Sequence, residues 1–154
     1  MDLTSILRPS AVKLVHAISS KKRLFQDLGD VFASNYGIDG GMVTSALQER
    51  EALGPTGVGK GVALPHARLP GLDQVVGAFV RLETPLDFDA VDRQPVDLIF
   101  ALFAPEGNGV DHLKALALVS RTLRDSATCA KLRANDDPSI LHTILTEGPN
   151  TKAA

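Results

Sequence analysis

Two apolar runs of strand type, Gln74–Leu82 and Val96–Phe103, constrain the fold of this chain more than any other feature. Runs of that length and composition belong inside a sheet that is covered on both faces. The segments that would cover it are visible on either side. Ser19 or Ser20 can cap a helix running to about Tyr36, in which Leu24, Phe25, Leu28, Val31 and Phe32 recur at helical spacing before Gly37 ends it. Asp39 can cap a second helix, with Val43, Ala46 and Leu47 on one face, which stops at Gly54-Pro55. A third spans about Val110 to Arg124, after a turn at 107–109, with Leu113, Leu116, Ala117 and Leu123 expected to face inward. Two short helices follow, at about Thr128–Arg133 and Pro138–Thr146, the second with proline at its first position. Val12–His16 reads as a short strand and Val62–Leu64 as a strand stub.

The simplest packing of these elements is one sheet with helices on both faces, an α/β single domain. Its 154 residues suffice for a core without disulfides or a structural metal. The pattern predicts a domain over residues 1–147 and a frayed C-terminal tail over 148–154. It does not give the strand order.

Composition narrows the function classes. A formal net charge of −2 argues against a nucleic-acid binder, which carries a basic excess. The single cysteine, Cys129, cannot form an internal disulfide, and its helical, apolar setting reads as a small buried hydrophobe. The first ten residues lack the pattern of a signal peptide, and no apolar stretch reaches membrane-spanning length. The expected location is the cytoplasm, with no membrane insertion.

The four histidines differ in setting. His16, in the first strand, and His142, in the last helix, read as surface or structural residues. His66 follows Pro65, whose ring stiffens the backbone, and comes just after a loop with four glycines between Gly54 and Gly61. Glycines let backbone N–H groups converge on an anion, and Arg50 and Arg68 are candidate cations. His112 falls in the first turn of a helix, where anions are favoured. It can serve as a donor to a phosphate or simply as a solvated first-turn histidine. One motif misleads. Gly54-Pro-Thr-Gly-Val-Gly59-Lys60-Gly61 nearly matches a nucleotide phosphate loop, but Gly61 has no hydroxyl for magnesium. The order is also reversed, with a helix before it and a strand stub after it. No spacing of metal ligands and no hydrolase nucleophile elbow is present.

The segment 48–59, followed by Gly61-Val62-Ala63-Leu64-Pro65-His66, resembles the active-site segment of phosphotransferase-system enzyme IIA proteins of the fructose, mannitol and nitrogen-regulatory type. The pattern is an acidic or amide residue, a six-residue gap, then apolar, small, two free positions, apolar, Ala, apolar, Pro, His, small. Glu51, Val58, Gly59, Val62, Ala63, Leu64, Pro65, His66 and Ala67 comply. The resemblance covers nearly the whole chain. Leu86-Asp87-Phe88-Asp89-Ala90 and Gln94–Leu102 look like the later strand region of the nitrogen-regulatory branch, and Asp111-His112-Leu113 resembles the family's second histidine at a helix start. Lys60 stands where a small polar residue is common, Ala67 where glycine is, and Gly107–Val110 where relatives are more acidic.

The resemblance implies a central mixed β-sheet flanked by helices on both faces, and it implies phosphorylation of His66, with Arg50 and His112 flanking the phosphoryl group. The expected donor is an HPr-like phosphocarrier protein, with no metal, nucleotide or other cofactor required. Imidazole suits such a carrier, because it is neutral near pH 7 and a phosphorylated nitrogen is energetic enough to pass its group on. Catalysis is then mostly positioning and charge stabilisation. Arg50 pairs with the phosphoryl oxygens, while His112 and the loop N–H groups add donors. Two roles follow, a nitrogen-type regulator acting on protein targets, or a IIA component passing phosphate to a IIB partner in sugar transport. A binding module that has merely kept the fold is a weaker third, against which the joint presence of His66, Arg50 and His112 speaks.

Overall fold

The computed structural model describes residues 1–107 and 109–148. The frayed tail expected over 148–154 therefore lies outside the described residues except for Gly148, as does Asn108 in the expected 107–109 turn. The elements are α1 (Leu3–Ile6), β1 (Leu7–Val15), α2 (Lys21–Tyr36), α3 (Gly40–Leu53), β2 (Gly57–Gly59), β3 (Val62–Ala63), β4 (His66–Leu69), β5 (Val76–Leu86), β6 (Val96–Pro105), α4 (Gly109–Arg124), α5 (Ser126–Arg133) and α6 (Pro138–Glu147).

One mixed sheet has the order β1-β5-β6-β3-β2, with β4 also paired to β6. The two apolar runs seen in the sequence are its antiparallel centre, with Phe79 opposite Phe100. Val96 and residues 98–104 of β6 are buried, because helices pack on both sides of this strand. On one side α2 and α3 pack on each other, and α2 reaches β6 through Phe32, whose ring stands edge-on to Phe103 with centroids 4.9 Å apart. On the other, α4 packs on β6 and α6 on β1, joined by α5. The expected α/β architecture, a central mixed sheet with helices on both faces, is the one observed. Among the described residues no helix is long and apolar enough to cross a membrane.

The caps follow the local rules. Ser20, not Ser19, caps α2 by accepting from Arg23 N–H, and Gly37 closes it in the left-handed conformation. Asp39 accepts from Gly41 N–H at the start of α3. Several sequence expectations need correction. The first strand begins at Leu7 rather than Val12, since Arg8, Pro9 and Ser10 occupy a register irregularity against β5 that hides any alternation. The four-residue helix α1 is too short to leave a periodic signal. In α4 the inward stripe is His112, Ala115, Val119 and Leu123, with Leu116 partly buried; Leu113 is 67% exposed and Ala117 is exposed too. A stripe traced through the leucines misses this, because its first member is a polar residue.

The glycine-rich segment is also resolved differently. Gly57–Gly59 is a strand, antiparallel to β3, and the turn between them is Lys60-Gly61, both with positive φ (59° and 80°). That is a tight hairpin of the type that matches strand twist. Lys60 N–H donates to Asp92 Oδ2 at 2.8 Å, and its carbonyl accepts from Arg133. Gly57 lies so close to Ala90 that a Cβ there would sit 2.7 Å from the alanine's methyl carbon. Gly57, Gly59 and Gly61 therefore build a close-packed hairpin, Gly54 closes α3, and a nucleotide phosphate loop, which opens a helix, does not describe their arrangement.

Candidate active site

His66 owes its position to a broken strand. Residues 62–63 and 66–69 both run parallel to β6, and Val62 opposite Leu98 and His66 opposite Leu102 keep the same offset. Leu64 and Pro65 interrupt them. Proline has no N–H to offer the ladder, although its carbonyl still accepts from Leu102 N–H at 3.0 Å, while Leu64 N–H turns to Thr56 O. His66 is thus the first residue of the resumed strand and remains half-buried. Its Nδ1 lies 2.7 Å from the Leu64 carbonyl oxygen. A carbonyl only accepts, so Nδ1 carries the proton and Nε2 has the free lone pair. Burial and the nearby Arg50 guanidinium push the His66 pKa below its usual value, outweighing the carbonyl bond that raises it.

Helix α4 brings in the second imidazole. His112 is buried, and its ring stands nearly edge-on to that of His66, with centroids 5.5 Å apart and an interplanar angle of 65°. Arg68 Nε, on β4, donates to His112 Nδ1 at 3.3 Å. The proton of neutral His112 is then on Nε2, a buried atom with no hydrogen-bond partner among the described residues. Burial, His66 and Arg68, in that order, lower the His112 pKa. A buried N–H donor without an acceptor costs free energy unless something arrives to accept it.

Arg50 is in the last turn of α3 and donates to the Gly54 carbonyl at 2.9 Å. This bond holds it half-buried beside the segment that leads to His66. The three residues singled out in the sequence, His66, Arg50 and His112, therefore share one neighbourhood. His16 and His142 do not belong to it: His16 pairs with Glu83 at the surface, and His142 Nε2 binds the Leu7 carbonyl at 2.9 Å. Lys60 is at the hairpin tip, with its backbone tied to Asp92 and Arg133.

Glu51 has a role that the motif alone does not disclose. Its carboxylate accepts from Thr56 N–H, from Thr56 Oγ1 at 2.6 Å and from Lys21 Nζ at 2.8 Å, and its side chain is only 9% exposed. Lys21 Nζ also donates to the Phe88 carbonyl. The acidic residue of the motif thus ties the end of α3, the start of α2 and the 54–56 segment into one knot below the loop. Lys21 is 30 residues away in the chain, and nothing local in the sequence announces the pair.

The mixed-sheet α/β domain carries one imidazole with an unprotonated Nε2 beside another whose Nε2–H has no partner among the described residues, and the comparisons place it in the phosphotransferase-system IIA class. The model for the phosphoenolpyruvate-dependent sugar phosphotransferase system, EIIA 2, matches residues 5–148, and the chain belongs to that family. Within it, the chain is similar to the nitrogen regulatory protein of Bradyrhizobium diazoefficiens, 44% identical over 153 residues, covering 99% of this chain and 100% of the relative. It is 38% identical to the Escherichia coli nitrogen regulatory protein over 152 residues, 98% of this chain and 93% of that one. The crystal structure of nitrogen regulatory protein IIA-Ntr from Neisseria meningitidis superposes with a TM-score of 0.87 at 36% identity, covering 94% of this chain and 99% of that chain. As a member of this family the chain is a phosphotransfer component.

Proposed function

We propose that this protein is a regulatory IIA phosphocarrier of the nitrogen type, that residues 1–147 form its phosphocarrier domain, and that His66 accepts the phosphoryl group in the cytoplasm. The donor is the phosphohistidine of an HPr-like carrier. The lone pair on His66 Nε2 attacks phosphorus in line, and the donor's N–P bond breaks with its electron pair returning to the donor imidazole. Charge gathers on the three equatorial oxygens, so the protein's contribution is positioning and electrostatic stabilisation. His112 Nε2–H and the Arg50 guanidinium supply it. His66 Nδ1–H keeps donating to the Leu64 carbonyl and steadies the positive ring as the bond forms. The observation that carries this reading is the pairing of an unprotonated Nε2 on His66 with a buried donor on His112 that has no partner among the described residues.

The nitrogen-regulatory relatives support a regulatory role, in which the phosphorylation state governs binding to target proteins. The experiment is incubation with phosphoenolpyruvate, enzyme I and the HPr-like carrier, followed by intact mass measurement. One acid-labile phosphate is expected on the wild type and none on His66→Ala. Undiminished labelling of His66→Ala would remove His66 from the reaction. Efficient onward transfer to a sugar-specific IIB protein would replace the regulatory role by a transport one.

A further inference from the structure

We infer that Arg68 is a positioning residue of the site, holding His112 in the tautomer that presents Nε2–H to the group on His66. This rests on the phosphocarrier reading above and adds to it a residue that does not itself touch the phosphoryl group. Neutral histidine carries its proton on either nitrogen, and the bond made by one nitrogen decides which. Guanidinium only donates. The 3.3 Å contact from Arg68 Nε therefore requires a bare Nδ1 on His112 and puts the proton on Nε2. An arginine near neutral imidazole also opposes its protonation, so His112 remains a one-proton donor rather than a cation.

The surroundings fit this use of Arg68. It lies on β4 two residues after His66, so one short strand carries both the acceptor and the group that orients its neighbour. Its guanidinium reaches the start of α4 over Gly109, where a Cβ would stand 3.1 Å from Arg68 Nη2. The first residue of α4 is thus one that leaves room for the arginine. The other nitrogen of His112, buried and unpartnered among the described residues, is what such an arrangement would prepare for an incoming oxygen.

The test is long-range proton–nitrogen NMR on protein labelled with ¹⁵N at histidine, near pH 7.5, together with timed phosphorylation. In the wild type His112 should show a single tautomer, protonated on Nε2. In Arg68→Ala it should become a mixture of the two tautomers, while His66, anchored on Leu64, keeps its own. Phosphorylation of His66 should slow about tenfold, the lower end for loss of an outer partner that orients a functional imidazole. In a His112→Ala background, Arg68→Ala should slow the reaction by less than about twofold, because the group it orients is already gone. The inference is overturned if wild-type His112 is protonated on Nδ1, or if its tautomer is unchanged in Arg68→Ala. It is equally overturned if Arg68→Ala slows His112→Ala as strongly as it slows the wild type, which would mean that Arg68 acts on the phosphoryl group or the donor directly. Absence of phosphate on wild-type His66 with the tautomers as expected would instead defeat the phosphocarrier reading and leave the role of Arg68 in orienting His112 intact.

Discussion

The Nδ1 atom of His66 lies 2.7 Å from the carbonyl oxygen of Leu64, two residues back in the chain. The bond spans the proline, so the ring is oriented by the same short segment that breaks the strand. It leaves one nitrogen for chemistry. Phosphate should therefore be found on Nε2, and ¹⁵N-resolved NMR of the phosphorylated protein is the measurement. A phosphate on Nδ1 would require that bond to break and would refute the geometry proposed for the transfer.

His112→Ala and Arg50→Ala should both still be phosphorylated on His66, but slowly. Loss of one charge-stabilising donor typically costs about 10²–10³ in rate. If both groups hold the same oxygens, the double variant should be less impaired than the product of the single effects. A time course on the three variants decides this. Wild-type rates in both singles would mark the two residues as bystanders.

The pH dependence has a definite sign. Burial lowers the pKa of both His66 and His112 below the ordinary imidazole value of 6.5. His66 should then remain an unprotonated acceptor somewhat below pH 6.5, where a free imidazole is largely cationic. For stability, the unfolded chain binds these protons first. The stabilisation is complete above pH 6.5 and is lost as the pH falls through the folded-state values. Urea denaturation between pH 7.5 and 5 should show stability falling, with a smaller fall in His66→Ala. An identical slope in that variant would mean that His66 is not held neutral by the fold.

Glu51→Ala should destabilise the protein and impair the site together. The change takes from Lys21 the nearer of its two carboxylates, leaving Asp89 at 3.6 Å, and leaves Thr56 N–H and Oγ1 without their acceptor. Breaking a buried ion pair from one side typically costs about 3–5 kcal/mol. A figure near the lower end is expected, since Lys21 keeps the Phe88 carbonyl. The midpoint of urea unfolding reads it, and a shift equivalent to less than about 1 kcal/mol, the level of a surface pair, would show that the knot is dispensable.

The features legible in the sequence are the local ones. Pro65-His66 and Glu51 lie in one motif, the caps Ser20 and Asp39 directly precede their helices, and the runs that form β5 and β6 are long enough to stand out. The strand His66–Leu69 is not legible, because His-Ala-Arg-Leu shows no alternation and takes its extended form from pairing with β6. The hairpin at Lys60-Gly61 is concealed by its likeness to a phosphate loop. The contact between Arg68 and His112 joins residues 44 apart, and it depends on how α4 docks on the sheet. A leucine stripe through α4 points Leu113 inward and gives no hint that the buried position belongs to its neighbour His112.

The interrupted strand that carries His66 borders β6, the most deeply enclosed strand of the sheet. Segments that fray cheaply have few buried contacts and solvent-exposed backbone bonds. The Pro65 carbonyl and the residues after it are instead hydrogen-bonded into the centre of the molecule. Opening this site would mean breaking the ladder between β4 and β6 and the packing of α3 on β4. Under the proposed role, a phosphoryl group gained or lost at His66 would change a spot tied into the sheet, and a partner that distinguishes the two states would sense charge and shape there rather than a refolded element.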